Sequence, residues 1–454
     1  MIPEAFLERM RSMPELDFDA FFDALQRPSV RALRINPLKT DAEHLLPLLP
    51  FALSPLSFGT GAYYAPEDKV GALAAHHAGM FYMQDPGAIS AVAAATPKSG
   101  ITVLDMCAAP GGKSTQLAAA IAPDGVLVSN EYVSSRCRIL QGNVERLGLR
   151  SAVVTNLSTD VLAAFYGAYF DLVVADVPCS GEGMFRKYEV ASEEWSEENV
   201  ALCAERAAEI LDDAAACVRP GGQLLFSTCT FAPEENERQI DRFLNTHPDF
   251  SLQPVTEEIV HITADGVNFE GLSHDMRRCR RFYPHLSPGE GQFVALLQRA
   301  GDADTARPKD GAHTPLAKKD AELVFRFLDE TLLTRPQGRL VQLREEVYLA
   351  PDIPIPAKGV FAPGVCIGTL QKGRITPHHH FFSAFGTLFR RQLTLSQDDE
   401  RAARYLRGEE IAAPELAGQN GYAALLYEGA PLGGIKAVDG RAKNHYPKGL
   451  RNRS

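Results

Sequence analysis

The chain has 454 residues, 45% of them apolar and 23% charged. That balance belongs to a globular chain with room for roughly two to four domains, and no run of residues has the length and apolarity of a membrane span. A net charge of −11 speaks against a uniformly basic nucleic-acid binder, though not against local basic patches.

The N-terminus "MIPEAFLERMRSM" carries acids and no continuous apolar stretch, so it does not read as a secretion signal. Eight cysteines are scattered without paired spacing, which fits a cytoplasmic chain with reduced thiols and offers no CxxC zinc pair. The triplet His378–His380 has no cysteine or acid at ligand spacing, so no metal is expected.

In chain order, residues 1–85 read as a mixed N-terminal module, with "RALRINPLK" supplying Arg31, Arg34 and Lys39 toward RNA. Residues 86–300 alternate strand and helix signals. "ITVLDM" (101–106) is a strand and "KSTQLAAAIA" (113–122) a helix; "GVLVSNE" (125–131) is a strand and "SSRCRILQGNVERLG" (134–148) a helix. "SAVVTN" (151–156) and "DLVVADV" (171–177) are strands, followed by a long helix over 198–218. "GQLLFSTC" (222–229), a helix over 234–247 and a final strand "GQFVALLQ" (291–298) complete the unit. The alternation predicts an α/β fold with a parallel sheet. A polar stretch over 299–320 reads as linker, within a small region spanning 301–377; residues 378–454 form a last module.

Two runs are basic: "HDMRRCRRFYPH", with four arginines, and the tail "GIKAVDGRAKNHYPKGLRNRS", with Lys436, Arg441, Lys443, Lys448, Arg451 and Arg453 against Asp439. Either alone reads as a solvated face. Together, with interleaved Tyr and Phe, they point to RNA contact.

The first strand–helix turn, "LDMCAAPGGKSTQLA", sits where a doubly wound sheet binds a nucleotide-like ligand. Its glycines allow close backbone approach, and the helix N-terminus favours a carboxylate. It matches neither a P-loop nor GxGxxG. The next strand ends in Glu131, an acid suited to ribose hydroxyls. Ribose, a carboxylate and no pyrophosphate together describe S-adenosylmethionine.

Cysteines stand at the ends of two further strands, Cys179 in "DVPCSGEGMFRK" and Cys229 in "STCTFAPEENE". These motifs, with "DMCAAPGGKSTQ" and the preceding "YMQDPGA", resemble the RNA cytosine-5 methyltransferases of the Nol/Nop/Sun family. The segments "RFYPHLSPGEGQFVALL" and "KNHYPKGLR" resemble the bacterial RsmF-like ribosomal RNA methyltransferases. The resemblance implies a Rossmann-like S-adenosylmethionine-dependent core between N-terminal and C-terminal α+β RNA-binding modules, the latter PUA-like. It implies that Cys229 is the nucleophile and that Cys179 serves product release. Cofactor contacts map onto Cys107, Ala108, Ala109, Pro110, Gly111, Gly112, Lys113, Glu131, Arg136, Asn156 and Asp176. It also implies a monomer acting on ribosomal RNA, 16S in particular, or on the small subunit, with no membrane or metal partner.

The chemistry explains the two thiols. A thiolate adding to carbon 6 of cytosine turns carbon 5 into a nucleophile toward a methyl sulfonium. Asp176 is placed to protonate or bond N3, and Lys113 to orient or stabilise charge. Cys179 then assists loss of the carbon-5 proton, the two cysteines facing one base from two sides. Cys137, Cys203, Cys217, Cys279 and Cys366 read as small buried hydrophobes, and Cys107 as lining the cofactor loop. An amino-group methyltransferase would need an [ND]PP[YF]-type motif where "DVPC" stands, and DNA cytosine-5 enzymes place their nucleophile in the "PC" motif alone. A transfer RNA cytosine-5 methyltransferase and a largely non-catalytic RNA-binding assembly factor remain alternatives.

Overall fold

The computed structural model describes residues 2–66, 70–302, 306–311 and 316–452. Arg453 and two pieces of the expected linker, 303–305 and 312–315, lie outside the described residues. Among those described, no helix is long and apolar enough to cross a membrane.

The apolar runs form a ten-stranded sheet. Its elements are β1 (Thr102–Asp105), α1 (Gly112–Ile121), β2 (Val126–Asn130), α2 (Ser134–Leu147), β3 (Ala152–Thr155), α3 (Thr159–Tyr166) and β4 (Phe170–Asp176). They continue with α4 (Glu197–Cys217), β5 (Val218–Thr228), α5 (Glu237–Thr246), β6 (Phe250–Leu252), β7 (Arg280–Phe282), β8 (Gln292–Arg299) and β9 (Val360–Ala362). Strand order across the sheet is β7-β8-β5-β4-β1-β2-β3-β9, with the two-residue strand Ala264–Asp265 beside β7 and β6 paired to β8. The pairs among β1 to β5 are parallel. The order reverses between β1 and β4, which opens a crevice at their carboxyl ends.

Strand side chains alternate between faces. On one face Val103 packs with Leu127, Leu172, Val174 and Leu225, under α1 and the helix Pro86–Ala95. On the other, Leu104 packs with Val128, Val173, Leu224 and Phe226, under α4 and α5. Burial on both faces is why these strands read as nearly unbroken apolar runs.

The expected parallel sheet is present over β1 to β5 and carries antiparallel strands at both edges. β8 runs antiparallel to β5, because the chain turns back through β7 instead of crossing over a helix. β9 pairs antiparallel with β3, so the region after residue 300 completes the central sheet. Helix α5 starts at Glu237, not 234, since Glu235 and Asn236 belong to a turn. The short helix α3 had no counterpart in the sequence reading.

The N-terminal module contains a four-stranded sheet, and two further sheets of four and five strands follow the central one. Arg34 and Lys39, expected to face RNA, are instead joints between modules. Arg34 is buried and donates to Gln84 Oε1 at 3.2 Å, Gly112 O at 3.3 Å and Thr115 Oγ1 at 2.7 Å. Lys39 Nζ donates to Ser383 O at 2.5 Å and to Pro431 O at 3.3 Å, and burial pushes its ammonium down to about 7.

The arginine run is corrected in the same way. Arg281 is buried against Glu237, with Nη2–Oε2 at 2.5 Å, and its Nη1 donates to Phe231 O at 2.8 Å. Arg280 is buried against Asp265, and Arg278 donates to Leu252 O at 2.8 Å. Partners distant in sequence turned Arg280 and Arg281 into internal struts, whereas Arg277, paired with Asp275 at 2.6 Å, and Arg278 stay exposed as a solvated face. In the tail, Lys436, Arg441, Lys443 and Lys448 are exposed, and Arg441 pairs with Glu410 at 2.5 Å. Arg451 is half-buried, its guanidinium against Tyr446 O.

Candidate active site

The turn after β1 begins at Asp105, whose buried carboxyl takes a hydrogen bond from Ser114 Oγ at 2.6 Å and is pushed up by burial to about 7. Its second oxygen, Oδ1, is buried with no hydrogen-bond partner among the described residues. Gly111 caps α1 with φ +112°, a conformation that side-chain-bearing residues rarely adopt. The first N–H groups of α1 have no carbonyl within the helix to bond and are left toward the crevice. Arg136 Nη2 donates to Ala109 O at 2.8 Å and fixes the loop from behind. Burial and the neighbouring acids raise the Cys107 thiol, so it stays protonated.

At the end of β2, Glu131 is buried and accepts from Val133 N at 2.8 Å, with Arg136 Nη2 at 3.7 Å. Asn156, after β3, spends its donors inside the protein. Its Nδ2 donates to Glu131 O at 2.6 Å and Tyr132 O at 2.7 Å, and its backbone N–H to Gly359 O at 2.7 Å. It braces the strand ends, and Oδ1 is the atom left to meet a ligand.

Lys113 and Asp176 meet across the crevice, Nζ to Oδ2 at 2.8 Å. Burial alone would push the ammonium down; Asp176, Cys229 and Asp105 outweigh it and hold Lys113 above its ordinary value. Asp176 also accepts from Ser227 Oγ at 2.6 Å.

Cys179 Sγ and Cys229 Sγ are 3.3 Å apart, and Cys229 N–H points at Cys179 Sγ at 3.3 Å. The hydrogen bond to Cys229, then burial, holds the Cys179 thiol well above its ordinary value. Cys179 therefore keeps its proton, within reach of the Cys229 sulfur, and Cys229 in turn is near enough to Lys113 to help hold its ammonium. The other five cysteines are buried in the core, as expected.

The structure adds polar residues that the sequence reading passed over: Ser180, Glu182, Thr230 and Glu235 are buried directly behind the two cysteines. Their signal lay inside the quoted motifs, as acids set among apolar and small residues. Glu346, Cys366 and His378 also bring ligand-type atoms within 4.8 Å of one another. Two of the atoms there have partners within the protein: Tyr348 OH donates to Glu346 Oε2 at 2.6 Å, and His378 Nδ1 accepts from His380 N at 3.2 Å.

Comparison with known proteins matches three stretches to family descriptions. Residues 92–298 match "16S rRNA methyltransferase RsmB/F", residues 2–86 the N-terminal domain of 16S rRNA methyltransferase RsmF, and residues 392–452 the methyltransferase RsmF PUA domain. Ribosomal RNA small subunit methyltransferase F of Klebsiella pneumoniae (strain 342) is 32% identical over 99% of this chain and 96% of its own. The Vibrio campbellii protein of the same name is 31% identical over 99% and 97%. Among solved structures, a methyltransferase homologue from Pyrococcus horikoshii is 25% identical, with TM-score 0.57 over 65% of this chain and 95% of its own. NSun6 from Pyrococcus horikoshii shares the fold at 19% identity, with TM-score 0.55 over 66% of this chain and 99% of its own.

Proposed function

Since the chain belongs to the 16S rRNA methyltransferase RsmB/F family, we propose that it methylates carbon 5 of a cytidine in 16S ribosomal RNA through a covalent bond from Cys229. The observation that carries this reading is the pair of sulfurs 3.3 Å apart at the carboxyl ends of β4 and β5. An amino-group methyltransferase has no use for two thiols there. The relatives' names specify the small ribosomal subunit and give no support to a transfer RNA substrate.

The methyl donor is S-adenosylmethionine, and the residues fit it. Asp105 offers a buried, unpartnered carboxyl oxygen, Glu131 a buried acid, and α1 its free N-terminal N–H groups. Residues 107–113, Glu131 and Asp176 would hold it, with Arg136 and Asn156 fixing the surrounding backbone. When bound it supplies the methyl group.

The protein's own residues do the rest. The Cys229 sulfur forms a bond to carbon 6, and the electron pair of the 5,6 double bond moves to carbon 5. Asp176, in its ion pair, can only accept, so its expected role as the N3 donor passes to Lys113; Asp176 suits the amine on carbon 4. The expectation that the cysteines face the base from two sides is also revised. A planar ring cannot enter a 3.3 Å gap, so both sulfurs address one face.

Methylation on the face turned away from the sulfurs leaves the carbon-5 proton on the cysteine side. Once Cys229 is bonded to carbon 6, its charge and its hydrogen bond to Cys179 are gone, and with them the main cause that held the Cys179 proton. Cys179 releases that proton to water and, as thiolate, takes the one on carbon 5. The freed C–H pair restores the double bond, the carbon 6–sulfur bond breaks, and Cys229 leaves as thiolate.

The test is bisulfite sequencing of 16S ribosomal RNA from a strain lacking the gene, beside its parent. At least one protected cytosine must become convertible, and must regain protection with the wild-type gene but not with Cys229→Ala. An identical protection pattern in both strains overturns the proposal.

A further inference from the structure

A hydroxyl residue follows each cysteine, Ser180 after Cys179 and Thr230 after Cys229, and the two hydroxyls meet. Together with two acids they form a row of four oxygens on buried side chains. Glu235 Oε1 lies 2.5 Å from Ser180 Oγ, Ser180 Oγ lies 2.8 Å from Thr230 Oγ1, and Thr230 Oγ1 lies 2.9 Å from Glu182 Oε2. Each of these contacts requires a proton between its oxygens, since bare lone pairs at such distances repel in a dry interior. The two hydroxyls supply one proton each. The row is therefore one proton short unless a carboxyl group carries it.

The remaining bonds decide which carboxyl that is. Glu182 accepts from Phe231 N at 2.9 Å and from Trp195 Nε1 at 3.0 Å as well as from Thr230, a set of donors that suits an ionised group. Glu235 receives one donor on its other oxygen, Ser180 N at 2.9 Å, which leaves Oε1 to hold hydrogen.

We propose that Glu235 is a neutral carboxylic acid that donates to Ser180, which donates to Thr230, which donates to an ionised Glu182, and that this row is the positioning device holding the two cysteine loops in register. Burial raises both carboxyls, Glu235 up to about 7, while at Glu182 the bonds from Thr230, Trp195 and Phe231 and the charge of Arg9 oppose the rise. The groups facing the row are Glu182 itself, Cys179 in the preceding loop, Cys203 on α4 with Arg206 beside it, and Arg9 of the N-terminal helix near Glu182. Loss of the Glu235 proton would remove one of the three bonds and add negative charge behind Cys179. The consequence for catalysis rests on the two-cysteine reading above; the protonation state does not.

Two measurements on the full chain separate these. Infrared spectra of wild type minus Glu235→Gln, near neutral pH, should show a carboxylic-acid C=O band that shifts in D2O and fades as pH rises. Absence of that band overturns the proposal whatever the enzyme does. In methyl-transfer assays, Glu235→Gln can donate to Ser180 Oγ and accept from Ser180 N as the acid does. It should keep activity within about threefold and lose the wild-type fall at alkaline pH, while Glu235→Ala drops at least about tenfold, the worth of one buried hydrogen bond. A Gln variant as damaged as the Ala variant also overturns it. If no protein methylates cytosine, the functional reading fails while the infrared result stands.

Discussion

The sulfurs of Cys179 and Cys229 lie 3.3 Å apart on loops that leave neighbouring parallel strands. The proposed roles predict opposite failures. Cys229→Ala should bind RNA and transfer no methyl group. Cys179→Ala should still add and methylate but not eliminate, so a methyl-labelled protein–RNA adduct accumulates on a denaturing gel. An adduct in Cys229→Ala and none in Cys179→Ala would reverse the assignment.

Lys113 is paired with Asp176 and is near enough to Cys229 to feel its charge. Lys113→Met should slow alkylation of Cys229 at neutral pH several-fold, measured in a Cys179→Ala background, because the nearby cation favours the thiolate. Methyl transfer should fall by about a hundredfold or more, the usual worth of a positioned proton donor. Unchanged alkylation would mean that the ammonium serves the base alone.

Glu237 and Arg281 form a fully buried ion pair, and Arg281 also holds Phe231 O, two residues beyond Cys229. Glu237→Ala strands a guanidinium in the interior and should cost roughly 3–5 kcal/mol. The urea midpoint of the central unit is the measurement; a shift worth less than about 1 kcal/mol would show that the interior tolerates the lone charge.

His379 is buried, neither ring nitrogen has a hydrogen-bond partner among the described residues, and burial pushes it down to about 3. Its unfolded value is near 6.5, so between pH 6.5 and 3 the unfolded chain binds a proton that the folded chain does not. The stability this site contributes is whole above pH 6.5 and is lost as pH falls. His379→Leu should remove that part of the acid sensitivity, a gain over wild type of about 2 kcal/mol at pH 5 relative to pH 8. Parallel pH curves for the two proteins would show that His379 titrates normally.

The strands that carry the site were legible because each is buried on both faces and ends in a polar turn, as in "LVVAD" before Cys179 and "LLFST" before Cys229. The two cysteines, the loop 107–113 and Glu131 follow directly from those ends. What pairs with what was not legible. Antiparallel β8 has the same apolar composition as its parallel neighbours, and β9 is a three-residue strand that exists only because β3 is beside it. Arg280 and Arg281 read as surface charge because Asp265 and Glu237 lie far away in sequence. The sharing of protons among Ser180, Thr230, Glu182 and Glu235 depends on contacts of tenths of an ångström that no spacing encodes.

The pairing of β9 with β3 sets an order of events during synthesis. β3 is made early, and its open edge waits for Val360–Ala362 to leave the ribosome. At cellular elongation rates that delay of roughly 200 residues lasts about 10–40 s. For that interval the nascent chain presents a row of unpaired backbone groups, the kind of template on which strands from other chains can add. The C-terminal region thus closes the last seam of the sheet that holds the reactive cysteines, and a chain released before residue 362 would carry the complete cysteine pair on an unsealed fold.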